Sequence, residues 1–194
     1  MSLITVVATD NYVSFMSDGR LTNKDGQPLN EHYKKILKVS DEIIIGAAGN
    51  HKQACILFEN AAYWFQEAEG DIQKFVNNMQ NWILTSIPRI RYPNINLQVA
   101  VGGINESQQI SIFCFNNHET KNMKSKFLIL RNEISYLVLG STSATKNLRN
   151  LINSNTDRTI DRIIRVQEKT NLEISQIDLT VNSITFNDYI HLKG

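Results

Sequence analysis

Cysteine is scarce in this chain: Cys55 and Cys114 are the only two among 194 residues. Each stands in an apolar setting, QACILF and SIFCF, with no second cysteine or histidine at the spacing of metal ligands. These observations exclude a disulfide-stapled scaffold and a cysteine-based metal site. We expect two buried free thiols, as in a protein of the reducing cytoplasm.

Long apolar runs and an excess of either charge are missing too. No run approaches the roughly 20 apolar residues of a membrane-spanning helix, and the N-terminus lacks a basic stretch followed by an apolar core. The 20 lysines and arginines balance 19 acidic residues, which leaves a net charge of +1. This balance gives no electrostatic reason to expect a nucleic-acid or membrane partner.

Motifs for several other chemistries are absent as well. The four histidines are scattered, and none shares a family-like motif with a serine or cysteine, which argues against a classical triad. The segment GSTSATKN follows a strand-like run and precedes a helix-like one, but it lacks the G-x-x-x-x-G-K-[ST] pattern of phosphate-binding loops. We therefore expect neither a metal nor a cofactor.

The chain has enough apolar material for one substantial core. Hydrophobic residues make up 42% of it and charged residues 20%. It contains no internal repeat, low-complexity tract or linker. A single domain over residues 1–194 is therefore predicted.

Strand-like and helix-like patterns follow one another in blocks. Runs of β-branched and aromatic residues between turn signals predict strands at 4–8, 12–17, 33–39, 41–49, 97–103, 110–115, 126–130, 136–140 and 177–186. Apolar residues at helical spacing predict helices at about 50–69, from Asp71 onward, at 143–153 and at 158–169, the last capped by Asn155, Thr156 or Asp157.

This order does not alternate strand and helix, as a doubly wound parallel sheet would. Blocks of antiparallel strands interrupted by paired helices predict an α+β fold with two stacked sheets and helices on their outer faces. The expected architecture is a four-layer αββα sandwich.

The opening residues, Met-Ser-Leu, have three interpretations. A small second residue can mean only that Met1 is removed easily, or the three residues can be a remnant of an expression vector. Alternatively, removal of Met1 makes Ser2 a nucleophile that carries its own base, the free α-amine. The ordinary pKa of such an amine, about 7.7–8.0, suits a general base near neutral pH.

A nucleophile of this kind needs a nearby cation, a carboxylate that holds the cation, and backbone donors for the oxyanion. Asp18 and Arg20 stand in SDGR after the second strand, and Lys35 begins the third. The glycine-rich segment GAAGN, residues 46–50, ends the fourth strand. Glycine there would let a substrate approach the backbone closely.

In this order and spacing, the motifs resemble those of the proteasome β-subunit family and its bacterial ATP-dependent counterpart, which are N-terminal nucleophile hydrolases. Residues 2–50 carry the resemblance, and YLVLGSTSATKNL adds support. The resemblance implies Ser2 at the position of the family's N-terminal threonine, Asp18 as its acidic partner and Lys35 as the active-site lysine. It also implies an oxyanion hole within Gly46–Gly49, around Ala47 and Gly49, and Ser141 as a supporting serine.

The chain departs from the family in two respects. Serine replaces threonine, and the aspartate and serine that the family places after its fourth helix are not recognisable in QEKTNLEIS. The resemblance implies a peptidase that acts on peptide or unfolded-protein substrates, a homo-oligomeric ring and a separate ATP-driven unfoldase. The departures favour an alternative, an inactive, self-assembling relative that retains Met1.

Overall fold

The computed structural model describes residues 2–87, 95–117, 125–128 and 133–192. The strands are β1 Ile4–Ala8, β2 Tyr12–Asp18, β3 Leu21–Thr22, β4 Pro28–Asn30, β5 Ile36–Lys38, β6 Ile43–Gly49, β7 Leu97–Ile104, β8 Ile110–Asn116, β9 Ser125–Leu128, β10 Ser135–Leu139 and β11 Thr185–His191. The helices are α1 His51–Glu67, α2 Ile72–Ser86, α3 Thr142–Asn153 and α4 Ile160–Ser175.

The strands form two main sheets, in which every described pairing is antiparallel. One sheet has the order β10-β1-β2-β11, and the other has the order β5-β6-β7-β8-β9. A small hairpin, β3-β4, forms a separate sheet, and its two strands are joined by the turn NKDGQ, residues 23–27. β1 and β2 are buried along their whole length, because they lie in the middle of a sheet that is covered on both faces.

Three apolar layers hold the molecule together. Between the sheets, the packed side chains include Phe15, Ile44 and Ile112. α1 and α2 cover the outer face of the five-stranded sheet, and α3 and α4 cover the other sheet. The predicted α+β fold, a four-layer αββα sandwich, is confirmed.

Local signals set the ends of the first two helices. The Asn50 side chain caps α1 by accepting a hydrogen bond from the Gln53 N–H, and Asp71 caps α2 in the same way. Gly70, between the helices, has φ +82°, a left-handed conformation that ends α1 and reverses the chain. The end of α1 before Gly70 and the start of α2 after Asp71 agree with the sequence pattern.

Three predicted features in the C-terminal part of the chain are wrong. α4 runs to Ser175 rather than to 169, because Thr170, Asn171 and Ile174 continue its buried face. Its N-cap is Thr159, not residues 155–157. The predicted strand at 177–186 is mostly loop, and β11 is shifted towards the C-terminus.

Smaller differences concern one strand and the two thiols. The predicted strand at 33–39 contracts to β5, Ile36–Lys38. Cys55 and Cys114 are not joined in a disulfide, and they are half-buried rather than buried as predicted. The Sγ of Cys55 lies 3.4 Å from the hydroxyl of Tyr33. Of the predicted strand 126–130, residues 129–130 lie outside the described residues.

None of the helices in the described ranges has the length and apolar character needed to cross a membrane.

Candidate active site

The start of β1 fixes Ser2 at one end of the four-stranded sheet. Ser2 is 8% exposed, and the Leu3 N–H donates to Asp18 Oδ1 at 2.8 Å. On the other side, the Ser2 carbonyl lies against Gly140, which has φ +89°. A Cβ on residue 140 would collide with that carbonyl oxygen. Ser2 is therefore held between the end of β2 and the loop that leads into α3.

Asp18 and Lys35 form a buried ion pair beside Ser2. Lys35 Nζ lies 2.5 Å from Asp18 Oδ1 and donates to the Asp18 carbonyl at 3.1 Å. Asp18 is fully buried and Lys35 is 2% exposed. Burial lowers the pKa of Lys35 below its ordinary value, and the Asp18 carboxylate opposes that shift. Asp18 Oδ1 thus holds both the lysine and the backbone amide next to Ser2.

A ring of hydrogen bonds surrounds the other side of Asp18. The Arg20 N–H donates to Asp18 Oδ2 at 2.9 Å, and the Arg20 guanidinium binds the Glu31 carboxylate at 3.0 Å. Asn182 accepts from the Gly19 N–H at 2.8 Å and donates to Glu31 Oε2 at 2.6 Å. The bond from Arg20 holds the pKa of Glu31 below its usual value. This ring joins the end of β2 to β4 and to the loop after α4.

The glycine-rich end of β6 contributes backbone groups, rather than side chains, to the candidate site. The Ala47 N–H donates to the Lys35 carbonyl at 3.1 Å, so this amide is already engaged in the sheet. Gly49 is exposed and has φ +112°. A Cβ there would collide with the Asn96 carbonyl, which explains the glycine.

Ser141 lies at the same corner as Ser2. It is 6% exposed and is the N-cap residue of α3, yet its side chain makes no capping hydrogen bond. Its neighbour Gly140 touches the Ser2 backbone, and the Gly140 N–H donates to Gln98 Oε1 at 2.9 Å. The Ser141 hydroxyl is therefore not engaged in capping the start of α3.

A cleft of about 450 Å³ opens beside Ser2. It is lined by Ser2, Leu21, Thr22, Asn23, Lys24, Gly49, Asn50, His51 and Lys52. β3 with the turn that follows it forms one wall, and the end of β6 with the first residues of α1 forms the other. A substrate in this cleft would lie next to the Ser2 side chain.

Sequence reasoning missed the loop after α4. QEKTNLEIS is residues 167–175, which lie inside the helix, so any counterpart of the family's aspartate and serine must be sought in residues 176–184. That loop contains Asp178, whose carboxylate binds the backbone and hydroxyl of Thr180, and Asn182 in the ring around Asp18. The apolar spacing through Ile174 was the signal that the helix continues.

Metal-ligating side chains do not gather anywhere in the described residues: no group of three or more histidines, cysteines, aspartates or glutamates is placed to hold an ion.

Comparison with known proteins supports the fold. No protein-family model matches the chain, and no curated protein matches it. Among solved structures it is similar to eukaryotic HslV from Trypanosoma brucei, with 15% sequence identity and a TM-score of 0.71. The match covers 97% of this chain and 99% of that one. The chain therefore has an HslV-like fold, and HslV is one of the solved structures that it resembles.

Proposed function

We propose that the protein is a proteasome-like N-terminal nucleophile hydrolase that cleaves peptide bonds through Ser2 after removal of Met1. The observation that carries the proposal is the double role of Asp18 Oδ1, which binds both the Leu3 N–H and the Lys35 ammonium. This arrangement keeps a buried cation beside the residue that would bear the nucleophile and its amine. Met1 lies outside the described residues.

The reaction needs only groups of this chain and water. Ser2 Oγ would attack the peptide carbonyl while its proton passes to the Ser2 α-amine, directly or through water. The C–N bond then breaks, the leaving amine takes that proton, and an ester to Ser2 remains. Water then attacks the ester and gives a proton to the α-amine. The α-amine returns this proton to Ser2 Oγ as the C–O bond breaks, which releases the second product. Lys35 would lower the proton affinity of the α-amine. A backbone N–H at Gly49 would donate a hydrogen bond to the oxyanion.

Assembly and partners follow from the resemblance. In this proposal residues 1–194 are one domain of a homo-oligomeric ring in the cytoplasm, which receives peptides or unfolded chains. A separate ATP-driven unfoldase would supply the unfolded chains. The hydrolase needs no cofactor.

The alternative is an inactive relative that keeps Met1 and serves assembly. Two observations favour it: the Ala47 amide is engaged with Lys35, and the Asp18–Lys35 pair is fully buried, as in a purely structural ion pair. In that case Ser2 has no free amine. The two proposals differ in the mass of the purified chain.

The first experiment is an intact-mass measurement on untagged protein after exposure to an electrophile that reacts with N-terminal hydroxyl nucleophiles. We expect loss of Met1 and one adduct, which maps to Ser2. The Ser2→Ala variant, also without Met1, should fold normally and show neither adduct nor peptide cleavage. Retention of Met1 without an adduct would contradict the proposal and support the alternative.

A further inference from the structure

The cleft beside Ser2 has an uneven charge. Among the residues that the structure describes, its charged lining residues are Lys24 in the β3-β4 turn and Lys52 in the first turn of α1, and none of its lining residues is a carboxylate. Both lysines are exposed, and neither has an ion-pair partner among the described residues. Two lysines without an ion-pair partner among the described residues therefore line the cleft.

The start of α1 adds to this positive potential. The 17-residue helix begins at His51, on the wall of the cleft, and its first turn contains no acidic residue. The aligned peptide dipoles of a helix place partial positive charge at that end. His51 itself is half-buried and lies edge-on to Tyr33, with ring centroids 4.7 Å apart.

The nearby carboxylates do not cancel the charge. Asp18 is fully buried and paired with Lys35, and Glu31 is held by Arg20 and Asn182. Asp25 is exposed in the β3-β4 turn and is not among the lining residues of the cleft. The cleft thus remains cationic where it meets Ser2.

We propose that this cleft selects peptides with an acidic side chain, aspartate or glutamate, next to the bond that is cleaved. The inference rests on the proposed function, because it names the substrate class of the same site. A carboxylate on the substrate would reach Lys52 or Lys24 while its backbone lies along Gly49 and the Ser2 side chain. A lysine or arginine at that position would meet like charge, which selects against it.

The volume agrees with this class of ligand. At about 450 Å³ the cleft lies within the range of roughly 300–1,000 Å³ that holds a small ligand, and so it accommodates one or two residues of a peptide. Selection by charge requires only that the carboxylate lie near the mouth, where both ammonium groups are exposed.

The test uses three peptide electrophiles that are identical except for glutamate, leucine or lysine beside the reactive group. Labelling of Ser2 is followed by intact mass against time at low salt. We expect the glutamate probe to react on the order of tenfold faster than the leucine probe, and the lysine probe to react slowest. The preference should shrink at high salt, because the lysines are exposed.

Variants assign the preference to the two lysines. Lys24→Glu together with Lys52→Glu should reverse the order of the glutamate and lysine probes. Lys74→Glu, on the exposed face of α2 and outside the cleft, is the matched control and should leave all three rates unchanged.

The outcomes separate this inference from the proposed function. Equal rates for the three probes, or fastest labelling by the lysine probe, would overturn the acidic preference and leave Ser2 as the nucleophile. If no probe labels Ser2, hydrolysis is contradicted, and the cleft is then tested by the binding of fluorescent acidic and basic tripeptides to Ser2→Ala. Tighter acidic binding that Lys24→Glu/Lys52→Glu abolishes would support a cationic binding cleft, and equal binding would overturn that as well.

Discussion

Asp18 and Lys35 lie 17 residues apart in the sequence and meet in the core, and their pairing shapes the whole candidate site. Each is an ordinary residue in its local context: Asp18 precedes a glycine, and Lys35 starts a strand-like run. Family resemblance was needed to relate them, because an Asp-Gly pair and a lone lysine occur on many surfaces. What the sequence could not reveal is the complete burial of the pair, since burial depends on how the two sheets stack.

Breaking that pair should be costly for stability. We expect Lys35→Ala to lower the free energy of unfolding by about 3–5 kcal/mol, because it leaves the Asp18 carboxylate buried without a counter-ion. Lys34→Ala is the matched control: the Lys34–Asp188 pair is partly exposed and should contribute about 0.2–1 kcal/mol. Urea denaturation measures both.

A double variant keeps this prediction testable if Lys35→Ala does not fold. Asp18→Asn with Lys35→Met removes both charges and should recover part of the lost stability, because no unpaired charge remains. Equal costs for Lys35→Ala and Lys34→Ala would show that the burial of the Asp18–Lys35 pair carries no stabilising role.

At the scale of elements, the junction between β10 and α3 determines where Ser2 lies. Gly140 combines a left-handed backbone with direct contact to the Ser2 carbonyl. Gly70, between α1 and α2, has a similar φ but no atom within 4 Å of where a Cβ would stand. A side chain at position 70 would therefore meet backbone strain alone, whereas one at position 140 would meet strain and a steric clash.

Alanine at these two positions should behave differently. Gly70→Ala should cost about 1–2 kcal/mol, the strain of a left-handed alanine. Gly140→Ala should cost more than about 3 kcal/mol and also abolish labelling of Ser2, because the new methyl group must displace the backbone of Ser2. Thermal unfolding and intact-mass labelling of both variants provide the comparison. Normal labelling of Gly140→Ala would show that this contact does not position Ser2.

Elements with one dominant signal were predictable from the sequence, and elements with competing signals were not. β1 agrees to the residue, and α2 begins after the predicted cap, Asp71, because periodicity and the capping residue point the same way there. In residues 177–186 the β-branched residues suggested a strand. The turn that Asp178 makes with Thr180 prevails over that propensity and leaves a loop, which brings Asn182 to Gly19.

At the scale of the whole molecule, the sandwich depends on close approach of the two sheets. A Cβ on Gly102 would come within 2.6 Å of the Phe15 ring, so β7 approaches β2 only because glycine stands there. The order of strands and helices in the sequence was sufficient to predict four layers. It could not predict which residues meet between the layers, since those contacts join distant parts of the chain.

The proposed assembly is tested on the intact protein. Ile177 and Leu179 are 71% and 81% exposed, and an oligomer would give such apolar side chains a place out of water. We expect native mass spectrometry to find one defined oligomer, whose mass is a whole-number multiple of the 22.1 kDa chain. A dilution series is the control for weak association. A monomer at all concentrations would contradict the ring.

The antiparallel register of β2 and β11 has a practical consequence. Thr185 lies opposite Asp18, at the Ser2 end of the sheet, and His191 lies opposite Tyr12 at the far end. Seven residues of strand separate these two ends by roughly 20 Å. An affinity tag attached after His191 would therefore leave the cleft unobstructed. A tag fused ahead of Ser2 would start beside the cleft, and its peptide bond to Ser2 would leave no free α-amine. Protein that keeps an N-terminal affinity tag should therefore not carry out the proposed reaction.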